Sequence, residues 1–207
     1  TPSVRIKPGE IPPGEGQNTT HFSVIDSSGN MVSNTYTLNF DYGSKIKVPR
    51  TGGLLNNEVD DFSMKPGEPN AYGLLGGQAN APEPEKRMLS SMTPTIVLKD
   101  GAPFLVTGSP GGSLIITTVL QIITNVIDFG MNISEATNAP RVHHQWLPDK
   151  LRVEKGISGD TLRLLKERGY SIDTGNTMGS AQSIMKKGEF LYGASDPRRP
   201  GGSAEGY

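Results

Sequence analysis

Hydroxyl side chains dominate the residues of this sequence that could act as nucleophiles. None of the 207 residues is a cysteine, which excludes thiol catalysis and thiolate-bound zinc. A serine hydrolase of the nucleophile-elbow type needs a GxSxG pattern, and neither the GSPGG segment at 108–112 nor any other serine supplies it. The pair Thr19-Thr20, at the start of a β-rich run, is the more suggestive candidate.

Threonine is a weak nucleophile unless a base lies next to it. At the first position of a chain, the residue's own α-amine can be that base, with an unperturbed pKa of about 7.7–8.0. Thr19 has no free α-amine while Asn18 is attached to it. Chemistry at Thr19 therefore requires cleavage of the Asn18–Thr19 bond. From residue type alone, a threonine that opens a strand is far more often structural than catalytic.

Two glycines form the second candidate feature. Gly111 and Gly112 come directly before a long apolar segment that predicts a helix. Backbone can approach a ligand closely at glycine, and the first N–H groups of a helix favour negative charge. Such N–H groups can form an oxyanion hole for acyl transfer. A simple tight turn into the helix is the alternative interpretation.

Short polar clusters are the third feature. Glu58 and Asp61, in NNEVDD, could hold an ammonium group, and Ser90 and Ser91 could donate hydrogen bonds to a carboxylate. An amino-acid substrate needs one group of each kind. Each cluster alone is more often part of a turn or a helix cap.

The three histidines do not predict a metal site. His21, His143 and His144 lack the spacing of HExxH, and no carboxylate accompanies them at ligand spacing. His21 could be a general base or an ordinary sheet histidine. We expect no metal and no cofactor.

Composition narrows the class of protein. The formal net charge is -1, which gives no electrostatic reason to expect nucleic acid or an anionic membrane as partner. No apolar run reaches 18 residues, so a membrane span is not expected. The pairs at 186–187 (KK) and 198–199 (RR) are interpreted as solvated surface.

Strand-rich runs joined by turns predict hairpins, with helices collected after them. The hairpins are expected to turn at Gly29-Asn30, at 99–101 and at 187–188. A helix is expected in the apolar segment stopped by Gly130, and because it is apolar on nearly every side it should be covered on most faces. Two more are expected, one after Ser134 as N-cap and one in an amphipathic segment ending at Gly169. This order favours an α+β fold over alternating βαβ units. Residues 63–87 form a long polar loop, a kind that is usually functional or disordered.

Several long motifs in fixed order resemble the small subunit of bacterial γ-glutamyltransferases (γ-glutamyltranspeptidases). They are TTHFSVID, TYTLN, LLNNEVDDF, KRMLSSMTPTIV, VTGSPGGS, NAPRVHHQWLPD and YGASDPR, and they span residues 19–207. The resemblance implies an N-terminal-nucleophile hydrolase fold, an αββα sandwich of two stacked sheets between helical layers. It also makes residues 1–18 the tail of a large subunit from the same precursor, and 19–207 the catalytic small subunit.

The resemblance implies a role for each matching residue. Thr19 is then the nucleophile of cleavage and catalysis, Thr37 orients it, and Gly111 and Gly112 form the oxyanion hole. The α-amino group of the substrate would be bound by Asn39, Glu58 and Asp61, and its α-carboxylate by Ser90 and Ser91. Tyr72 would belong to a lid.

The activity implied is γ-glutamyl transfer and hydrolysis on glutathione and other γ-glutamyl compounds, with water, amino acids or peptides as acceptors. The large subunit, which carries the family's carboxylate-binding arginine, is the expected partner, and a periplasmic or secreted location the expected compartment. The alternatives are a cephalosporin (glutaryl) acylase or poly-γ-glutamate transpeptidase of the same fold, and an uncleaved, non-enzymatic precursor.

Overall fold

A computed structural model describes residues 19–207 of the chain. The tail at 1–18, and with it Asn18 of the expected cleavage bond, lies outside the described residues. The strands are β1 (Thr20–Ile25), β2 (Met31–Tyr36), β3 (Thr95–Lys99), β4 (Ala102–Thr107), β5 (Val142–His143), β6 (Leu151–Val153), β7 (Ile172–Thr174), β8 (Gln182–Lys187) and β9 (Phe190–Ser195). The helices are α1 (Leu114–Ile127), α2 (Ile133–Asn138) and α3 (Gly159–Glu167).

Two antiparallel sheets are stacked face to face. The β1–β2 hairpin lies on a four-stranded sheet with the order β3-β4-β8-β9. Side chains that point inward from the hairpin bond the backbone of the sheet below: the Ser23 hydroxyl donates to the Gln182 carbonyl at 2.9 Å, and the Ser33 hydroxyl to the Thr107 carbonyl at 3.0 Å. These bonds fix the hairpin, and therefore the residue that precedes it, against the sheet.

Helices α1 and α2 cover the other face of the four-stranded sheet. Leu105 and Met185 from the sheet pack with Ile122 and Val126 of α1 and Ile133 of α2 in one buried cluster. The order is therefore hairpin, sheet and helices. The α+β fold with two stacked sheets, expected from the sequence, is confirmed.

The hairpin turns agree with their sequence signals in two of three cases. Asp100 and Gly101 both adopt positive φ, as a two-residue turn requires. The β8–β9 turn falls at 188–189, one residue after the expected 187–188. The first turn is a longer loop at 26–30, and the expected turn at Gly29-Asn30 is only its last part. A carboxylate oxygen of Asp26 accepts the backbone N–H groups of Ser28 and Asn30, which organises the longer loop.

Three details differ from expectation. The N-cap of α2 is Asn132, which forms a reciprocal capping box with Glu135, so Ser134 lies inside the helix. Strands β6 and β7 pair in parallel across α3, so one small βαβ unit exists within the α+β fold. Helix α1, expected to be covered on most faces, leaves Ile116, Leu120 and Ile127 at least half exposed in this chain.

No helix within 19–207 is long and apolar enough to cross a membrane.

Candidate active site

Thr19 lies at the start of β1 and is buried, with 6% of its surface exposed. Its hydroxyl donates to the hydroxyl oxygen of Thr37 at 3.1 Å, and that same oxygen accepts the Asn39 backbone N–H at 2.8 Å. Thr37 directly follows β2, the partner strand of β1. The hairpin thus brings together two threonines that are 18 positions apart in the chain.

A small cavity beside Thr19 gathers nearly all of the residues singled out in the sequence. Its volume is about 30 Å³. Of those residues, the walls contain Thr19, Thr37, Asn39, Glu58, Asp61, Tyr72, Ser90, Ser91 and Gly112. Gly111 is the exception, and lines the neighbouring groove of about 940 Å³. Tyr72 lines both spaces and stands between them.

Asn39 and Tyr72 close one side of the cavity. The Tyr72 hydroxyl donates to the side-chain oxygen of Asn39 at 2.7 Å and lies 3.2 Å from the Asn39 carbonyl oxygen. The side-chain NH₂ of Asn39 donates to the Asn57 carbonyl at 3.2 Å. Asn39 has φ of 73°, a left-handed conformation that asparagine tolerates better than most residues. Burial raises the pKa of Tyr72, with the nearby carboxylates adding to the effect, so its hydroxyl remains a donor.

Glu58 and Asp61 lie in a short 3₁₀ turn, Glu58–Asp61, and are crowded together at the cavity. Loss of hydration, reinforced by the charge of Asp61, raises the pKa of Glu58 to about 7. Burial likewise raises the pKa of Asp61, although a hydrogen bond with Glu58 opposes the shift. Among the described residues, Oε1 of Glu58 has no hydrogen-bond partner although it is buried. Such a pair is prepared to receive a cation, which would restore the ionised form of both groups.

Ser90 and Ser91 also line the cavity, from the extended segment before β3. The Ser90 hydroxyl oxygen accepts the Met92 backbone N–H at 3.2 Å, which leaves its own proton available as a donor. The Ser91 carbonyl accepts the Thr93 hydroxyl at 2.9 Å. The cavity therefore has carboxylates at one position and hydroxyl donors at another.

The Gly111-Gly112 turn needs glycine at both positions. Gly111 has φ of 138° and Gly112 has φ of 55°, conformations that a side chain makes costly. A Cβ on Gly112 would lie 3.1 Å from the Tyr72 ring, and one on Gly111 would lie 3.4 Å from Cα of Gly179. The turn is packed from both sides, immediately before α1.

Comparison with known proteins identifies the family. The sequence model of gamma-glutamyltranspeptidase matches residues 3–206. The chain belongs to the γ-glutamyltranspeptidase family. Its sequence is 61% identical to the glutathione hydrolase proenzyme of Escherichia coli K12 over 208 residues, which is 100% of this chain and 36% of that protein. The chain thus spans about a third of the length of such relatives.

Solved γ-glutamyltranspeptidase structures share its fold. A mutant of the Helicobacter pylori enzyme is 58% identical, with a TM-score of 0.83 over 87% of this chain and 100% of that one. The Pseudomonas nitroreducens enzyme in complex with L-DON is 49% identical, with a TM-score of 0.84 over 91% of this chain and 100% of the other. The N-terminal-nucleophile hydrolase fold expected from the resemblance is therefore confirmed.

The position of the arginine pair differs from the expectation from sequence. Arg198 and Arg199 were expected on solvated surface, but Arg198 bonds both carboxylate oxygens of Glu154 at 2.8 and 2.7 Å. Arg199 is half-buried and donates to the Thr19 carbonyl oxygen at 3.0 Å. Burial lowers the pKa of Arg199. A run of two charges gives no sign of partners 44 and 180 positions away in the chain.

The Arg198 contact belongs to a buried ionic network behind the site. Arg141 bonds Asp196 at 2.6 Å, and Glu154 accepts the Met178 backbone N–H at 2.6 Å. Met178 precedes Gly179, which packs against Gly111. The network therefore supports the rear of the glycine turn. Three residues of this network lie in motifs that carry the family resemblance: Arg141 in NAPRVHHQWLPD, and Asp196 and Arg198 in YGASDPR. Those motifs are the feature of the sequence that could have indicated the network.

His21 is an ordinary sheet histidine by its contacts. Its Nε2 lies 3.1 Å from the Ser23 hydroxyl and its Nδ1 lies 2.9 Å from the Thr35 hydroxyl. The Ser23 hydroxyl donates its proton to Gln182, so it accepts from Nε2–H, and Thr35 donates to Nδ1. Burial lowers the pKa of His21 to about 4. The neutral ring links Ser23 of β1 to Thr35 of β2, which favours the structural interpretation over general base.

Proposed function

We propose that this chain is the catalytic part of a γ-glutamyltransferase and glutathione hydrolase, with Thr19 as its nucleophile. The observation that carries the proposal is one cavity that contains a buried threonine hydroxyl, a carboxylate pair and two serine hydroxyls. A γ-glutamyl compound presents an ammonium, a carboxylate and a reacting carbonyl, and these groups match that set. The family membership and the 61% identity to a glutathione hydrolase proenzyme support the same activity.

The reaction follows from the contacts of Thr19. Cleavage of the Asn18–Thr19 bond frees an α-amine whose ordinary pKa, about 7.7–8.0, suits a base near neutrality. Thr19 Oγ1 attacks the γ-carbonyl carbon and its proton passes to the α-amine, while the carbonyl electron pair moves onto oxygen. The N–H groups of Gly111 and Gly112 receive the oxyanion. Collapse breaks the C–N bond, and the leaving amine takes the proton.

The ester on Thr19 is then resolved by a second nucleophile. Water gives glutamate, and an acceptor amine gives a new γ-glutamyl amide. Thr37 orients the hydroxyl of Thr19 at 3.1 Å in both halves of the cycle. The α-amino group is assigned to Asn39, Glu58 and Asp61, and the α-carboxylate to Ser90 and Ser91.

Tyr72 has the position of a lid residue. The cavity of about 30 Å³ holds little more than a water molecule, whereas ligand sites measure about 300–1,000 Å³. Because Tyr72 stands between this cavity and the larger groove, its displacement would join the two. We assign to the 63–87 segment the opening and closing of the site.

Substitution of Thr19 tests the proposal directly. The complete precursor carrying Thr19→Ala should remain one uncut band on a denaturing gel and lack activity on a γ-glutamyl anilide. Thr20→Ala is the matched control, because its exposed side chain lies outside the cavity; this variant should be cut and active. A Thr19→Ala protein that keeps its activity, or an active wild type that is never cut, refutes the assignment of the nucleophile.

Related acylases of the fold remain the second candidate activity. A glutaryl substrate lacks the α-amino group, so it has no use for the carboxylate pair at the cavity. We expect turnover of γ-glutamyl anilide to exceed that of glutaryl anilide by a factor of at least about 100, the size of effect expected when buried polar groups lose their partner. A preference for the glutaryl compound would replace the proposal with the acylase.

The partner and compartment are proposals of the same kind. A large subunit from the same precursor completes the protein, and export to the periplasm or the medium is the location that the family resemblance implies. Acceptor amino acids and peptides are proposed as second substrates.

A further inference from the structure

A chain of four polar side chains lies behind the Gly111-Gly112 turn, and the proposed chemistry assigns none of them a role. Thr117 on α1 contacts His143 on β5, His143 contacts Gln145, and Gln145 contacts Ser113. We propose that Gln145, held by His143, is a positioning residue that fixes Ser113 and thereby the oxyanion turn. The inference rests on the function proposed for Thr19, and concerns how the turn is kept in place.

The distances describe a continuous set of hydrogen bonds. The Ser113 hydroxyl donates to Oε1 of Gln145 at 2.9 Å, and Nε2 of His143 lies 2.9 Å from the same oxygen. Nδ1 of His143 lies 2.8 Å from the Thr117 hydroxyl. The amide NH₂ of Gln145 donates to the Leu147 carbonyl at 3.2 Å, which settles which end of the amide faces Ser113.

The protons can be assigned because a carboxamide oxygen only accepts. His143 must therefore donate from Nε2 to this oxygen. Oε1 of Gln145 then receives two donors, and its position is set by a buried imidazole with 3% of its surface exposed. Gln145 is held in one orientation by three groups around its amide: Ser113, His143 and Leu147.

The behaviour of Ser113 is the second independent observation. Ser113 is the N-cap of α1, where a serine side chain usually accepts a backbone N–H of its own helix. In this structure the side chain makes no capping bond; its hydroxyl goes to Gln145 instead. The Ser113 hydroxyl therefore connects the glycine turn to the residue two positions after β5, and does not cap its own helix.

The two ends of the glycine turn are then fixed in the same manner. At one end the Ser109 hydroxyl accepts the Ser180 backbone N–H at 2.9 Å. At the other end Ser113 is held by Gln145. Gly111 and Gly112 lie between them and have no side chains to hold them. A shift of either end moves the N–H groups relative to the oxyanion, and a misplacement of about 1 Å can cost about 10²-fold in rate.

Gln145→Leu in the complete, processed protein tests the proposal, together with Gln145→Glu and Ser113→Ala. We expect kcat on a γ-glutamyl anilide to fall about 10- to 100-fold in Gln145→Leu and in Ser113→Ala, with KM nearly unchanged. Gln145→Glu keeps an acceptor oxygen for both donors, and should stay within about threefold of wild type. The double variant should lose no more than either single one, because both substitutions break the same bond.

The affinity of a tetrahedral inhibitor distinguishes a displaced oxyanion turn from a general loss of protein stability. A γ-boronic acid analogue of glutamate forms a tetrahedral adduct on a hydroxyl nucleophile, so its binding depends on the oxyanion turn. Its affinity should fall in proportion to kcat/KM in Gln145→Leu, while glutamate itself binds as in wild type. Gln121→Leu is the matched control: Gln121 also joins α1 to β5, through the Val142 carbonyl at 2.8 Å, but lies away from the turn. Its kcat should be that of wild type.

The kinetics of these variants separate failure of the positioning role from failure of the proposed function. Wild-type kcat in both Gln145→Leu and Ser113→Ala, with Thr19→Ala inactive, overturns the positioning role and leaves the proposed function intact. Equal losses in Gln145→Leu and Gln145→Glu would assign the effect to the Leu147 bond, and overturn it as well. If Gln145→Leu is not processed, Ser113→Ala, which removes one oxygen, provides the kinetic test. An active Thr19→Ala protein would instead remove the function on which the inference rests.

Discussion

Glu58 and Asp61 show how a single pair of side chains can set the pH response of binding. Because burial and the charge of Asp61 raise the pKa of Glu58 to about 7, the pair holds a proton below neutrality. In the proposed assignment, a substrate ammonium meets its full countercharge only after that proton leaves. We therefore expect the pair to link substrate affinity to pH in the neutral range, although neither residue takes part in bond making.

Glu58→Gln should remove that dependence. In wild type, KM for a γ-glutamyl substrate should rise as the pH falls through about 7, because Glu58 becomes protonated. The glutamine variant should show a KM that is higher at pH 8, by about 10- to 150-fold for the loss of one charged hydrogen bond, and flat between pH 6 and 8. Steady-state kinetics across this range gives the measurement. A variant whose KM keeps the wild-type slope would place the titration elsewhere.

Gly112 carries a conformational requirement and a steric one. Gly112→Ala places a Cβ at φ of 55° and 3.1 Å from the Tyr72 ring, so the turn or the tyrosine must shift. We expect kcat to fall by about 10²- to 10³-fold, the range for loss of one oxyanion donor. Gly188→Ala is the matched control, with φ of 61° and open space at its Cβ. It should lose about 1 kcal/mol of stability and no kcat; equal kinetics in the two variants would contradict the role of the turn.

At the scale of elements, the β1–β2 hairpin positions the proposed nucleophile, Thr19. Its inward side chains are polar: Ser23 and Ser33 bond the backbone of the sheet, and His21 bonds the Ser23 hydroxyl. Gly108 leaves room for the imidazole, since a Cβ there would lie 2.2 Å from the ring. The stacking of the two sheets next to Thr19 thus depends on a neutral histidine.

His21→Gln should make the stability of the protein less sensitive to acid. Burial lowers the pKa of His21 from its ordinary 6.5 to about 4. The folded state therefore prefers the neutral ring, and this preference contributes fully above about pH 6.5 and is lost as the pH falls toward 4. Melting temperatures measured between pH 4 and 7.5 should fall more steeply for wild type than for the variant. The difference in melting temperature at pH 7.5 gives the loss of stability caused by the substitution itself. If the melting temperatures of the two proteins fell in parallel with pH, His21 would not be the group responsible.

At the scale of the whole molecule, several large apolar side chains of the described residues are exposed. On α1, Ile116, Leu120 and Ile127 are 50, 56 and 51% exposed, and the outer face of the β1–β2 hairpin presents Phe22 and Tyr36 at 49 and 61%. Contiguous apolar faces of this kind mark interaction surfaces. They agree with the proposed large subunit, and with a chain that spans about a third of its relatives.

Residues 19–207 produced alone should therefore behave differently from the complete precursor. We expect the isolated segment to aggregate or to bind a hydrophobic dye strongly, because its apolar faces remain in water. The processed complete protein should do neither. Sedimentation and dye fluorescence on the two preparations make the comparison. A monodisperse isolated segment without dye binding would show that these faces need no partner.

Local patterns in the sequence were sufficient for much of the architecture. The Asp100-Gly101 turn, the apolar helix before Gly130 and the amphipathic helix that begins after Ser158 follow from rules that involve neighbours only. The ordered motifs identified the family, and with it the candidate nucleophile. Even so, the sequence could not show that Thr19 and Thr37 touch, because that contact depends on the register of a hairpin.

Tertiary structure decided the contacts between distant segments. Arg199 reaches the carbonyl of Thr19 across 180 positions, and Gln145 reaches Ser113 across 32, so no local pattern could reveal either. The pKa values of Glu58 and His21 depend on burial, which exists only in the folded chain. Thr19 thus owes its chemical type to the sequence alone. Its buried position, its hydrogen bond to Thr37 and the cavity beside it come from packing, because they need several segments in contact at once.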